Sequence, residues 1–212
     1  PASHPELLQA LADEFRTNSY NIKSLIRWIT LSEPYALSSR SNASNADADD
    51  PALGEPPKFS RFYLRQMRAE ELYESLLVAT DADKTTGSYE DQEAAKARWL
   101  RQFTMAFGTD EGGESTTFNG TIPQALTMFN GEFIKKAIQL DQGNTLRQVA
   151  ESSLKPVDKI HYLLQAGLAR RATQNEINAA HTMLVASHGN AVEVMQDLWW
   201  AILNSNEFIM NH

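Results

Sequence analysis

The chain has no cysteine. That single absence removes disulfides, thiolate nucleophiles, iron–sulfur ligation and covalent haem attachment together. It leaves the compartment open, because cysteine-free chains occur on both sides of a membrane. No apolar run approaches about 18 residues, so no segment reads as a membrane-spanning helix. No stretch sustains a two-residue alternation, and no two-residue hairpin turn joins β-rich runs. A basic stripe is also missing. Nineteen Lys and Arg against 27 Asp and Glu give a net charge of −8. The acidic residues gather in "NADADDPALGE" and "GTDEGGES", so a phosphate backbone would be repelled and a nucleic-acid partner is excluded. The opening "PASHPELLQA" has neither a basic region nor an apolar stretch, the pattern of a chain cut from a longer parent or relieved of its targeting segment.

What the chain does have is legible helix starts. In a capping box, a Ser or Thr oxygen accepts from a backbone N–H three residues on, and a Glu or Gln there reaches back to the cap's own N–H. Ser3 with Glu6, Thr121 with Gln124 and Thr173 with Glu176 fit, and Asn190 with Glu193 is a looser version. Pro5 and Pro123 fall at the second helical position, where a missing N–H costs nothing. The apolar spacing agrees. One face carries Leu7, Leu8, Leu11 and Phe15, and the next carries Ile22, Leu25, Ile26 and Ile29. "FYLRQMRAEELYESLLVAT" turns Leu64, Met67, Leu72, Leu76 and Leu77 inward, and the stretch after Thr121 turns in Ala125, Leu126, Phe129, Phe133, Ile134 and Ile138. Further stripes run through Val157, Ile160, Leu164 and Leu168, through Ile177, Ala180, Met183 and Leu184, and through Val194, Leu198 and Ile202. The expectation is an all-α fold: one helical domain over 1–212, a single irregular bundle of about seven or eight helices. A long acidic, proline-broken loop at 38–60 and a Gly-rich loop at 107–120 interrupt it. A chain of 212 residues buries about 70% of its unfolded surface and needs no staple.

The chemistry-bearing motifs fail one by one. His181 and His188 stand seven apart rather than four, and neither an HExxH nor an ExxH pair occurs, so no metal site is expected. "DADKTTGSYEDQ" begins like a calcium loop, yet Thr86 and Gln92 replace its Gly and Glu. There is no GxSxG, no SxxK and no glycine-rich phosphate loop, and no cofactor is expected within the chain. Arg65 and Glu70, read as lying on one helix, are five apart, so each is expected to pair with a different helix. Trp199 and Trp200 lie about 100° apart on a helix, so one belongs in the core and the other at an edge or interface.

The stretch "TTFNGTIPQALTMFNGEFIKKA", 116–137, holds one exception to local rules. Thr121, Pro123 and Gln124 are explained by capping, and Asn119-Gly120 is a turn signal. Asn130-Gly131 inside the helical pattern costs about 1 to 1.5 kcal/mol against Ala-Ala and points to a close backbone approach. The candidate binding residues are therefore Arg65, Glu70, Asn119, Gln124, Asn130 and Trp200, with no catalytic residue assigned.

Four phrases, in order, carry a family resemblance: "HPELLQALADEFRTNSYNIKSLIRWITLSEPY", "YLRQMRAEELYESLLVAT", "NGTIPQALTMFNGEFI" and "QDLWWAILNSNEFIMNH". They are similar to the planctomycete-type DUF1549/DUF1553 family, and to its carboxy-terminal, DUF1553-like part. The family's phrases fall on Arg65, Ala69 and Glu70, on Gly120, Thr121, Gln124, Ala125, Leu126, Asn130 and Gly131, and on Leu203, Asn204, Asn206, Glu207 and Phe208. The resemblance implies the carboxy-terminal part of a larger exported bacterial protein, periplasmic or at the cell surface, with upstream domains as partners. It supplies no mechanism. Two readings follow: a helical interaction or scaffold domain binding a partner domain, another exported protein or an extracellular polysaccharide; or part of an enzyme, polysaccharide-processing or haem-linked, whose active site is shared with upstream sequence.

Overall fold

A computed structural model describes residues 2, 4–46, 48–49, 58–85, 87–108, 121–141 and 143–211. The chain divides into two compact units, Pro1–Arg65 with His212, and Gln66–Asn211.

In the first unit α1 (Pro5–Thr17) and α2 (Ile22–Thr30) form a helix hairpin, followed by a single 3-10 turn at Glu33–Ala36. His4 is the N-cap of α1, so Pro5 takes the first helical position rather than the second; the Ser3 half of the expected capping box lies outside the described residues. Ser19 and Tyr20 turn the chain with left-handed φ of 55° and 58°. The Asn21 side chain then accepts from the Ser24 N–H and opens α2. The half-buried Leu11 and Phe15 of α1 and Leu25 and Trp28 of α2 mark the faces of the hairpin that pack. Neither helix buries a residue fully. The inward faces expected for these helices are thus open: Leu7, Leu8, Ile22, Ile26 and Ile29 are all exposed.

The polar stretch that follows is organised by one side chain. Asp49 is only 5% exposed and accepts from the backbone N–H groups of Lys58 and Ser60, both at 2.9 Å, and from the hydroxyls of Ser60 and Tyr63. Burial works to raise its pKa, but the four hydrogen bonds outweigh it and hold the carboxyl well below the usual carboxylate range.

The second unit is an all-helical bundle around an aromatic-rich core. Its helices are α3 (Ala69–Thr80), α4 (Tyr89–Phe107), α5 (Ile122–Asn130), α6 (Glu132–Ile138), α7 (Thr145–Glu151), α8 (Pro156–Leu168), α9 (Gln174–Ala186), α10 (Ala191–Leu203) and the single turn α11 (Asn206–Ile209). The strand pieces β1 (Arg65–Gln66) and β2 (Met210–Asn211) pair as a two-stranded ladder. Leu72, Leu76, Trp99, Phe103, Phe133, Ile134, Leu146, Leu163, Leu164, Trp199 and Leu203 are essentially inaccessible. Trp99 meets Phe133 edge to face at 5.1 Å, and Tyr73 lies against both Phe103 and Phe133, the arrangement that ring quadrupoles favour. The Tyr73 hydroxyl donates to the Lys96 carbonyl at 3.1 Å, satisfying the one polar atom that this ring brings inside.

Several boundaries differ from the sequence expectation. The third helix begins at Ala69, not upstream of it, because the Glu71 carboxylate accepts from the Arg68 N–H and closes the first turn there. Leu64 and Met67 therefore precede the helix. In α8, Leu163 joins Leu164 in the core, while Val157 in its first turn is exposed. The stripe expected after Thr121 breaks at Gly131, so Met128, Phe133, Ile134 and Ala137 are buried, whereas Leu126 and Phe129 are exposed.

Candidate functional site

Thr121 begins the site. Its hydroxyl accepts from the Gln124 N–H at 3.4 Å, and the Gln124 side-chain oxygen accepts from the Thr121 N–H at 2.9 Å. Both halves of the capping box are present, so the Gln124 amide is committed to starting α5. Nine residues on, Asn130 ends the helix and Gly131 turns the chain into α6. Gly131 has φ −58° and ψ 153°, values open to any residue, so its reason is space. A Cβ there would lie 2.3 Å from the carbonyl oxygen of Thr127, to which the Gly131 N–H donates at 3.0 Å. The close backbone expected near this glycine is therefore the last turn of its own helix. The expectation of a continuous helix through Asn130-Gly131 is corrected to two helices with a break.

Trp200 spans that break. Its indole N–H donates to the Phe129 carbonyl at 3.2 Å, and its ring lies 5.5 Å from the Phe129 ring. A carbonyl at the end of a helix lacks an intrahelical donor, and Trp200 supplies one from α10. Trp199 beside it is completely buried, so the adjacent pair divides between core and edge. On the other side of α5, Gln102, Met105 and Ala106 of α4 and Pro123, Leu126, Thr127, Gly131 and Glu132 line an open groove of about 420 Å³. The Arg98 guanidinium grips Glu132 at its end, at 2.6 and 3.1 Å, and draws its carboxyl below the ordinary range.

Of the residues singled out in the sequence, Gln124, Asn130 and Trp200 thus serve the α5–α6 corner. Asn130 is exposed, and no hydrogen bond from its side chain is found among the described residues. Asn119 lies outside the described residues. Arg65 sits in β1 and Glu70 in the exposed first turn of α3, so the two do not share a helix as expected. Neither lines the groove.

Sequence reasoning passed over three polar centres. Asp49 is one. Asn144, fully buried, donates to the carbonyls of Gln139 and Lys136 at 2.5 and 3.3 Å and accepts from the Arg147 N–H at 2.8 Å, which opens α7. Arg170 is the third. It follows the end of α8 and holds both Glu176, at 2.7 and 3.0 Å, and Glu207, at 2.5 and 2.7 Å. The hydrogen bonds from Arg170, joined by those from Thr173, bring the Glu176 carboxyl down to about 2 against the cost of burial. Glu176 was visible as a cap; its second partner, six residues upstream in Arg170, had no sequence signature.

Among the described residues no group of His, Asp and Glu is placed to hold a metal ion, and no helix is long and apolar enough to cross a membrane. Every carboxylate among them with a clear shift, namely Asp13, Asp49, Asp91, Glu132 and Glu176, is lowered by its partners. Such groups stay ionised, whereas a general acid working near neutrality needs a raised pKa.

No curated protein and no solved structure matches the chain. A family model does match, over residues 1–184, and its description is PSD1, protein of unknown function (DUF1553). With the all-helical fold built from these same phrases, the chain belongs to the DUF1553 family.

Proposed function

We propose that this chain is a helical interaction domain that docks on another polypeptide through the open face of α1 and α2. One observation carries the reading. Two amphipathic helices bury no residue, yet Leu7, Leu8, Ile22, Ile26 and Ile29 are 41 to 65% exposed, and apolar helix faces are kept where something covers them. The second unit, by contrast, has a closed core. The partner that fits best is an upstream, DUF1549-like region of a longer exported protein of planctomycete type, with another exported protein or an extracellular polysaccharide as the wider class. The reading as part of an enzyme has less support, because the shifted carboxylates are tied to capping and ion-pair partners.

The test is amide hydrogen exchange and native mass spectrometry on residues 1–212 alone and joined to their natural upstream region. Exchange in 5–30 slows markedly in the longer chain if the face docks there. Unchanged exchange, together with a small molecule retained by the isolated chain, would overturn the docking reading in favour of an enzymatic one.

A further inference from the structure

On a helix each residue advances about 100°, so Ile22, Ile26 and Ile29 form one stripe along α2. Leu25 and Trp28, half-buried, lie to one side of it, on the face that packs in the hairpin. Lys23, and beyond it Arg27, edge the stripe on the other side, and both are exposed. The open surface is therefore apolar with a basic margin, in a chain whose net charge is −8.

A second copy of the chain fits this surface badly. Stripe on stripe with the helices antiparallel sets Lys23 and Arg27 opposite the same two cations. With the helices parallel, the basic margin meets the side already occupied by the hairpin. Area adds a second constraint. Leu7, Leu8, Ile22, Ile26 and Ile29, at 53, 60, 65, 54 and 41% exposure, offer on the order of 500 Å², short of the ~800 Å² per partner of a standard free-standing complex. A covering element of that size holds firmly only when a linker supplies a high effective concentration.

Resting on the docking reading above, we infer that the α1–α2 surface is completed by one amphipathic α-helix with an Asp- or Glu-lined edge, tethered in the same polypeptide outside residues 1–212. Its apolar stripe covers Ile22, Ile26 and Ile29, and its acidic edge lies along Lys23 and Arg27. The hairpin then becomes a three-helix unit.

The experiment joins residues 1–212 through a flexible Gly/Ser linker to either of two helical peptides of about four turns. They share one Leu/Ile stripe and are edged by Glu or by Lys. Hydrogen exchange in residues 22–30 is read against that in α10 as a folding control. The Glu-edged helix is expected to slow exchange about tenfold or more and the Lys-edged one to leave it nearly unchanged. Lys23→Glu with Arg27→Glu is expected to reverse the preference. Equal protection by both peptides overturns the acidic edge while leaving a docking surface in place. Concentration-dependent dimerisation of the unfused chain, with 22–30 protected, overturns the tethered helix in favour of a second copy. Slow exchange of 22–30 in the unfused monomer removes the docking reading itself.

Discussion

The Trp200 indole N–H and the Phe129 carbonyl meet at 3.2 Å across the break between α5 and α6. Trp200→Phe keeps the ring and removes the donor. The Phe129 carbonyl then turns to water, so the expected loss is about 1 kcal/mol in urea unfolding. Trp200→Ala, which also removes the ring contact, should cost clearly more.

Gly131→Ala tests the space argument. The added carbon meets a backbone oxygen rather than a movable side chain, so the corner must shift, at an expected cost of about 2 kcal/mol or more. Gly189→Ala is the control. It lies in a left-handed turn at φ 85° with nothing within 4 Å of the new carbon; its cost should come from backbone strain alone, about 1 kcal/mol.

Asn144→Leu keeps the volume and abandons three hydrogen-bond partners inside the protein. Unfolding free energy should fall by about 2–4 kcal/mol, with the α7 amides exchanging sooner than those of α10. An unchanged denaturation midpoint would mean that water replaces all three partners.

The Arg170 centre predicts an acid dependence. The Glu176 carboxyl titrates near 2 in the folded chain against an ordinary 4.5. Above about 4.5 it is ionised in both states, and its contribution to stability is complete. As pH falls from there towards 2, the unfolded chain takes up the proton first, and the contribution drains away. Urea midpoints measured from pH 6 to 2 should therefore drop more steeply for the natural chain than for Arg170→Met. With both side chains about one-third exposed, solvent screening holds the difference to roughly 1–2 kcal/mol.

Local chemistry was the legible part of the sequence. Thr121 with Gln124 and Thr173 with Glu176 cap their helices through the bonds that their spacing announces. Trp199 and Trp200 divide as adjacent helical residues must. The longest helix, α4, had equally plain marks in Ser88 with Asp91 and in Ala95, Trp99 and Phe103 at four-residue spacing; an Asp in place of Glu at the capping-box position concealed its start. Periodicity could say that α1 and α2 have apolar faces but not that those faces stay open, since covering depends on what lies opposite. The Arg170 and Asp49 centres were invisible for the same reason. Their partners, 37 and 11 to 14 residues distant, are brought together by tertiary folding.

The carboxylate at 49 gives the polar stretch of the first unit a clasp. Lys58 and Ser60 return to it within hydrogen-bonding distance, so whatever length of chain runs between Asp49 and Lys58 starts and finishes at nearly the same place. Closing a longer excursion costs only about 0.6 kcal/mol for each doubling of its length. This makes the stretch between Asp49 and Lys58 a natural port for insertion, where a tag, a reporter or a foreign epitope could be grafted while the clasp holds both stems.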